Sequence, residues 1–129
     1  MVEQLEHKFG FENLDVWQSS IDLSKFVYEL TSNFPKEETY GLVSQMRRAI
    51  VSVSSNIAEG TCKASLKEQA KFSEIAFGSL METLNQLIIA YSLGYLDIKD
   101  YDLCRECIEK TSRQLNALKN SQLRRLQNV

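Results

Sequence analysis

Three observations predict an all-α protein, an up-down-up-down antiparallel four-helix bundle. The 129-residue chain holds one proline and five glycines, too few for the turns of a β-protein. Apolar residues recur at three- and four-residue steps in four successive segments, the period of an amphipathic helix. The connections between those segments are short, which favours antiparallel neighbours.

The first helix is predicted over 14–33, ahead of the single proline, Pro35. Leu23, Val27, Leu30 and Phe34 form one apolar stripe, and Leu14, Trp17, Ile21 and Tyr28 a second. Asn13 is the candidate N-cap. The connection FPKEETYG carries Glu37 and Glu38, acids that suit the positive pole of the next helix. That second helix is expected over 39–60. Met46, Ala49, Ile50, Val53 and Ile57 form its core stripe, while Ser44, Arg48, Ser52, Ser55 and Glu59 form a polar face. Gly60 suits a left-handed C-terminal position, where lacking a Cβ removes the steric cost.

The third helix is expected over 66–93, opened by the capping box Ser65-Leu66-Lys67-Glu68 and closed by Gly94. Its apolar residues cover two sides: Phe72, Ile75, Ala76, Leu80, Leu87 and Tyr91 on one, and Phe77, Met81, Leu84 and Ile88 on the other. A helix apolar over most of its circumference is buried on more than one side. The surplus predicts self-association, with Phe77, Met81, Leu84 and Ile88 as interface candidates. The fourth helix is expected over 98–126, capped by Asp97 and carrying Asp100 in its first turn. Leu103, Cys107, Ile108, Leu115 and Leu118 form its core stripe. Residues 1–129 read as a single domain, with 1–12 a flexible N-terminal segment.

Composition narrows the function. The formal net charge is -2 and the pI about 5.5, which counts against an extended nucleic-acid surface and leaves room for a local patch. No apolar run is long enough to span a bilayer, so no membrane partner is expected. The polar start MVEQLEHKFGFENL does not resemble a secretory signal. These features predict a cytoplasmic protein whose three cysteines are reduced thiols.

Candidate chemistry is sparse. Cys104 and Cys107 form a CxxC, but inside a helix rather than at the N-terminus that would lower a thiol pKa. Zinc needs four ligands; Cys62 and His7 are the only further candidates, without a second paired motif. Both cysteines are therefore expected to pack, and neither a metal nor a cofactor is expected. No acid pair, nucleophile–base pair or phosphate-binding glycine loop is visible, so the chain is not expected to be an enzyme. Arg47 and Arg48 are candidate anion-binding residues. Lys110, Arg113, Lys119, Arg124 and Arg125 form a candidate basic patch, better explained by the negative pole of their own helix. In SVSSNIAEG, Asn56 lies at the edge of the apolar stripe. It serves either as a structural junction or in a polar pocket with Arg47 or Arg48 and Glu59.

FENLDVWQSSIDL, FPKEETYGLVSQMRRAIVSVSSNIAEG and LIIAYSLGYL resemble the bacterial four-helix-bundle proteins of the 23S ribosomal RNA intervening-sequence family. The resemblance runs in order from Phe11 to about Leu118. It implies an all-α bundle that assembles as a ring, commonly a homopentamer, without enzymatic activity and with RNA or a ribonucleoprotein as partner. A related branch, the accessory proteins of diversity-generating retroelements, binds nucleic acid and a reverse transcriptase. The matching polar positions are Arg47, Arg48, Asn56, Glu59 and Gly60. Ser54 stands where many relatives have a proline that kinks the helix, so a straighter second helix is expected here. The alternative function is a protein-binding adaptor or assembly protein with no nucleic-acid activity. It draws on the acidic pI and on the lack of aromatic and basic residues interleaved on one surface, the pattern that single-strand binders use.

Overall fold

The computed structural model describes residues 8–128. Four helices account for most of them: α1 (Asp15–Thr31), α2 (Leu42–Thr61), α3 (Leu66–Ser92) and α4 (Ile98–Gln127). Two 3-10 turns, Gly10–Asn13 and Lys36–Glu38, precede α1 and α2, and no strand occurs among the described residues.

The caps of α3 and α4 follow the sequence. Ser65 Oγ accepts the Glu68 N–H at 3.2 Å, and Asp97 Oδ1 accepts the Asp100 N–H at 2.8 Å. Gly94 closes α3 with φ +80, which lets the Tyr95 N–H reach back to the Ala90 carbonyl at 3.0 Å. The other ends differ from expectation. Asn13 does not cap α1; it ends the first 3-10 turn, and Leu14 flanks the helix in an extended conformation. That turn forms because the buried Glu12 carboxylate accepts the Phe9 N–H at 2.8 Å and Phe11 meets Trp17 edge-on at 5.1 Å. Gly10–Asn13 is thus folded against α1 and α2, although it falls in the segment expected to be flexible; residues 1–7, with His7, lie outside the described residues. At the start of α2, the chain spends 36–38 in the second turn, and Glu38 Oε1 then accepts the Leu42 N–H at 3.2 Å.

Gly60 is helical, not left-handed, and α2 continues to Thr61. The glycine answers a different need. A Cβ here would sit 2.7 Å from the Phe72 Cβ of α3, so the two helices touch backbone to side chain. Ser54 leaves α2 unbroken and donates to the Val51 carbonyl at 3.2 Å.

Each helix packs on two neighbours: α1 and α3 both contact α2 and α4. Ser52 meets Ser79 at 3.0 Å while Gly60 meets Phe72, so α2 and α3 run antiparallel. Ser73 donates to Gln122 at 2.7 Å and the Tyr91 and Tyr101 rings stack at 4.6 Å, so α3 and α4 do too. Phe34 and Tyr95 join the α1–α2 and α3–α4 connections at one end of the bundle, ring centroids 5.4 Å apart. The core between the helices holds Leu23 and Val27, Met46, Ile50, Val53 and Ile57, Ala76, Leu80 and Leu87, and Cys104, Ile108 and Leu115.

One apolar stripe is corrected and another is partly covered within the chain. On α4 the buried register is Cys104, Ile108, Thr111, Leu115 and Gln122; Leu103 is 45% exposed, and Cys107 and Leu118 are half-buried. Two polar side chains occupy core positions because each is satisfied there: Thr111 donates to the Cys107 carbonyl at 2.8 Å and Gln122 accepts from Ser73. On α3, Phe77, Met81 and Leu84 are half-buried against this chain's own core, and only Ile88 of that group is exposed. Flanked by α2 and α4, α3 covers part of its wide apolar arc within the chain.

These contacts predict opposite outcomes for two glycines. Gly60→Ala drives a methyl into Phe72 and is expected to destabilise by about 1–3 kcal/mol. Gly78→Ala, on an exposed part of α3 with nothing within 4 Å of the added Cβ, is expected to stabilise by about 0.5–1 kcal/mol. Urea denaturation of the two variants beside the parent checks both signs.

Candidate nucleic-acid interface

The last turn of α1 carries no basic residue, although its carbonyls form the negative pole of the helix. Arg47 of α2 supplies the missing cation. Its Nε donates to Thr31 Oγ1 at 2.9 Å and an Nη donates to the Tyr28 carbonyl at 3.2 Å. The guanidinium carbon lies 4.5 Å from the centre of the Tyr28 ring, a cation–π arrangement. Arg48, one residue on, is exposed; its bond is to Ser44 Oγ at 3.2 Å, within α2. Among the described residues no carboxylate lies within ion-pair distance of either arginine.

The two arginines line an open groove of about 490 Å³ between α1 and the start of α2, with Tyr28, Tyr40, Ser44 and Val51. Tyr40 is 97% exposed. The backbone beneath it is held by Glu38, whose two carboxylate oxygens accept from the Leu42 N–H and from the Tyr95 hydroxyl, the latter at 2.7 Å. The Tyr95 hydrogen bond, and then the Leu42 N–H, hold the Glu38 carboxyl below its usual range. The same bond raises the Tyr95 hydroxyl. Gly41 belongs to this clasp, since a Cβ there would stand 2.9 Å from Glu38 Oε1. A loop tied to the α3–α4 connection thus presents an uncovered aromatic ring beside two cations.

The remaining candidates are dispersed. Asn56 donates to the Ser52 carbonyl at 2.8 Å and to Ser52 Oγ at 3.0 Å, and Ser52 in turn meets Ser79 of α3. It therefore sits on the α3 side of α2, away from Arg47. Glu59 is exposed on α2, eleven residues beyond Arg48 and so about 16 Å along the helix. Arg47, Arg48, Asn56 and Glu59 are not brought together into one pocket. Lys110, Arg113, Arg124 and Arg125 are exposed along α4, and Lys119 lies over the Phe77 ring at 5.5 Å. α4 packs on α1 and α3, so these cations do not join the groove. Burial and the neighbouring Cys107 push the Cys104 thiol up to about 12, the opposite of an activated nucleophile. No cluster of His, Cys, Asp and Glu among the described residues is placed to hold a metal.

The surface lacking in the sequence, aromatics interleaved with arginines, is present in space. Tyr28 is partly exposed rather than a core-stripe residue, and Tyr40 belongs to a connection with no periodic pattern. Only the fold sets them beside Arg47 and Arg48.

The clasp has a pH signature. Because its carboxyl is held low in the folded protein, Glu38 contributes stability above the unfolded carboxylate pKa and loses it as pH falls through the lowered value. Tyr95→Phe is expected to move the Glu38 carboxyl back up, and the stability difference from the parent should shrink in acid. Carbon-detected NMR titration of Glu38, with denaturation at neutral and acid pH, measures both.

Comparison with known proteins places this fold. A family described as 23S rRNA-intervening sequence protein matches residues 12–117. A solved structure from the S23 ribosomal protein family of Bacteroides thetaiotaomicron is similar over 81% of this chain and 97% of that one. Its TM-score is 0.73 at 18% identity, a likeness of fold. None of the curated proteins matches. With the match covering most of its length, the chain belongs to the 23S rRNA-intervening sequence protein family.

Proposed function

We propose that the protein is a non-enzymatic, homo-oligomeric helical bundle of the cytoplasm that binds RNA or a ribonucleoprotein through the α1–α2 groove. The observation that carries this is the pair Arg47 and Arg48, free of carboxylates and flanked by tyrosines. What the groove offers is hydrogen-bond donors, positive charge and ring faces, a set suited to holding a phosphate chain. A pentameric ring, as the family resemblance implies, would present the groove five times. Weak contacts repeated on one scaffold reach useful avidity even when each engages few phosphates. Exposed Ile75, Ile88 and Ile89 on α3 are apolar surface available for that assembly.

The adaptor alternative draws on the same exposed isoleucines, taken up by a different protein. The two are separated by binding of structured RNA across a salt series, with native mass recorded in the same buffer. An oligomer is expected whose affinity falls as salt rises, by the counterion-release slope, and falls at least tenfold in Arg47→Ala/Arg48→Ala. An intact oligomer that binds no RNA at low salt would transfer the assignment to the adaptor.

A further inference from the structure

The groove separates its two arginines by role, and this separation bears on which nucleic acid it takes. Arg47 is already committed. Two of its donors and one face of its guanidinium are used in joining α2 to the end of α1. Arg48 makes one hydrogen bond within its own helix, and most of its five N–H donors remain for a ligand. Tyr40 stands at the same groove with its ring uncovered and its backbone clamped by Glu38. With the backbone beneath it already ordered, stacking on the ring costs the ordering of one side chain and not of the loop.

Resting on the RNA-binding function proposed above, we infer that the α1–α2 groove takes unpaired RNA, with a base stacked on Tyr40 and the adjoining phosphate on Arg48, while Arg47 is a positioning residue. Two features set unpaired RNA above a duplex. Duplex RNA is held by phosphate and 2′-hydroxyl contacts spread over successive grooves, which demands a long cationic surface; the basic residues of α4 lie off the groove. In a duplex, moreover, the base faces are occupied by their neighbours, and only an unpaired base can offer one to Tyr40. An acidic peptide could pair with Arg48 but would have no use for the bare ring.

The test uses the full chain and four probes: a ten-nucleotide oligouridine, an oligoadenine of equal length, a ten-base-pair RNA duplex and polyglutamate. Both single strands are expected to bind at least about tenfold more tightly than the duplex. Tyr40→Ala should weaken single-strand binding about ten- to hundredfold, the usual effect of losing one stacked base, while Tyr40→Phe keeps it. Arg48→Ala should make the slope of log affinity against log salt shallower by about 0.7, one single-strand phosphate. Arg47→Ala should lower the melting temperature, which Arg48→Ala should leave in place. Equal affinity for the duplex, an unaffected Tyr40→Ala, or polyglutamate bound as tightly as oligouridine would each overturn the stacking inference. If Arg47→Ala/Arg48→Ala still loses structured RNA in that case, RNA binding survives without it. No RNA bound by an intact protein removes both.

Discussion

The close approach of α2 to α3 is the constraint on which the rest of the molecule depends. Gly60 lies so near Phe72 that a single methyl would collide, and two turns earlier Ser52 and Ser79 share a hydrogen bond across the same seam. These contacts fix the rotation of α2 about its axis. Once Ser52, Asn56 and Gly60 face α3, helical geometry turns the opposite flank toward α1, and with it Arg47. The crowded polar stretch SVSSNIAEG is therefore a packing device. Ser52 meets Ser79 across the seam, Asn56 donates to Ser52, and Gly60 admits the neighbouring Phe72.

How much of this was legible in the sequence depended on whether the signal was local. The four helices were, because each carries its own period. So were the Ser65 and Asp97 caps and the Gly94 stop, which involve groups a few residues apart. Asn13 reads as a cap by type, but Glu12, burying its carboxylate against the Phe9 N–H, draws the preceding residues into a turn of their own. Gly60 is ambiguous in sequence because a glycine at a helix end serves equally well for a left-handed exit or a close contact, and only Phe72 distinguishes them. The α4 register was hidden by Thr111 and Gln122, polar by type yet satisfied when buried. The groove was the least legible feature. It joins the end of one helix, a connection and the start of another, and no spacing rule relates Tyr28 to Tyr40.

An acidic protein and a phosphate-binding groove are compatible when charge is sorted in space. At physiological ionic strength, exposed charges more than about 8 Å apart are largely screened, so a phosphate at Arg48 senses its immediate surroundings rather than the net charge of -2. Of the acids flanking groove residues, Glu29 follows Tyr28 and is exposed, and Glu38 turns its carboxylate to Leu42 and Tyr95. That commitment serves twice. It satisfies the first amide of α2, and it turns the carboxylate to donors of its own rather than to either arginine.

Arg47 then links fold to function. As the cation at the negative pole of α1, it stabilises a helix end whose last turn carries no basic residue of its own. As a guanidinium lying over Tyr28, it forms a flat, positive wall of the groove. A lysine would provide the charge without the plane or the paired donors. The geometry therefore requires arginine at 47 for structure, and that requirement in turn places positive charge beside Arg48. The groove's electrostatics are thus partly a by-product of how α1 ends, and the cost of holding one cation in place is met by folding rather than by binding.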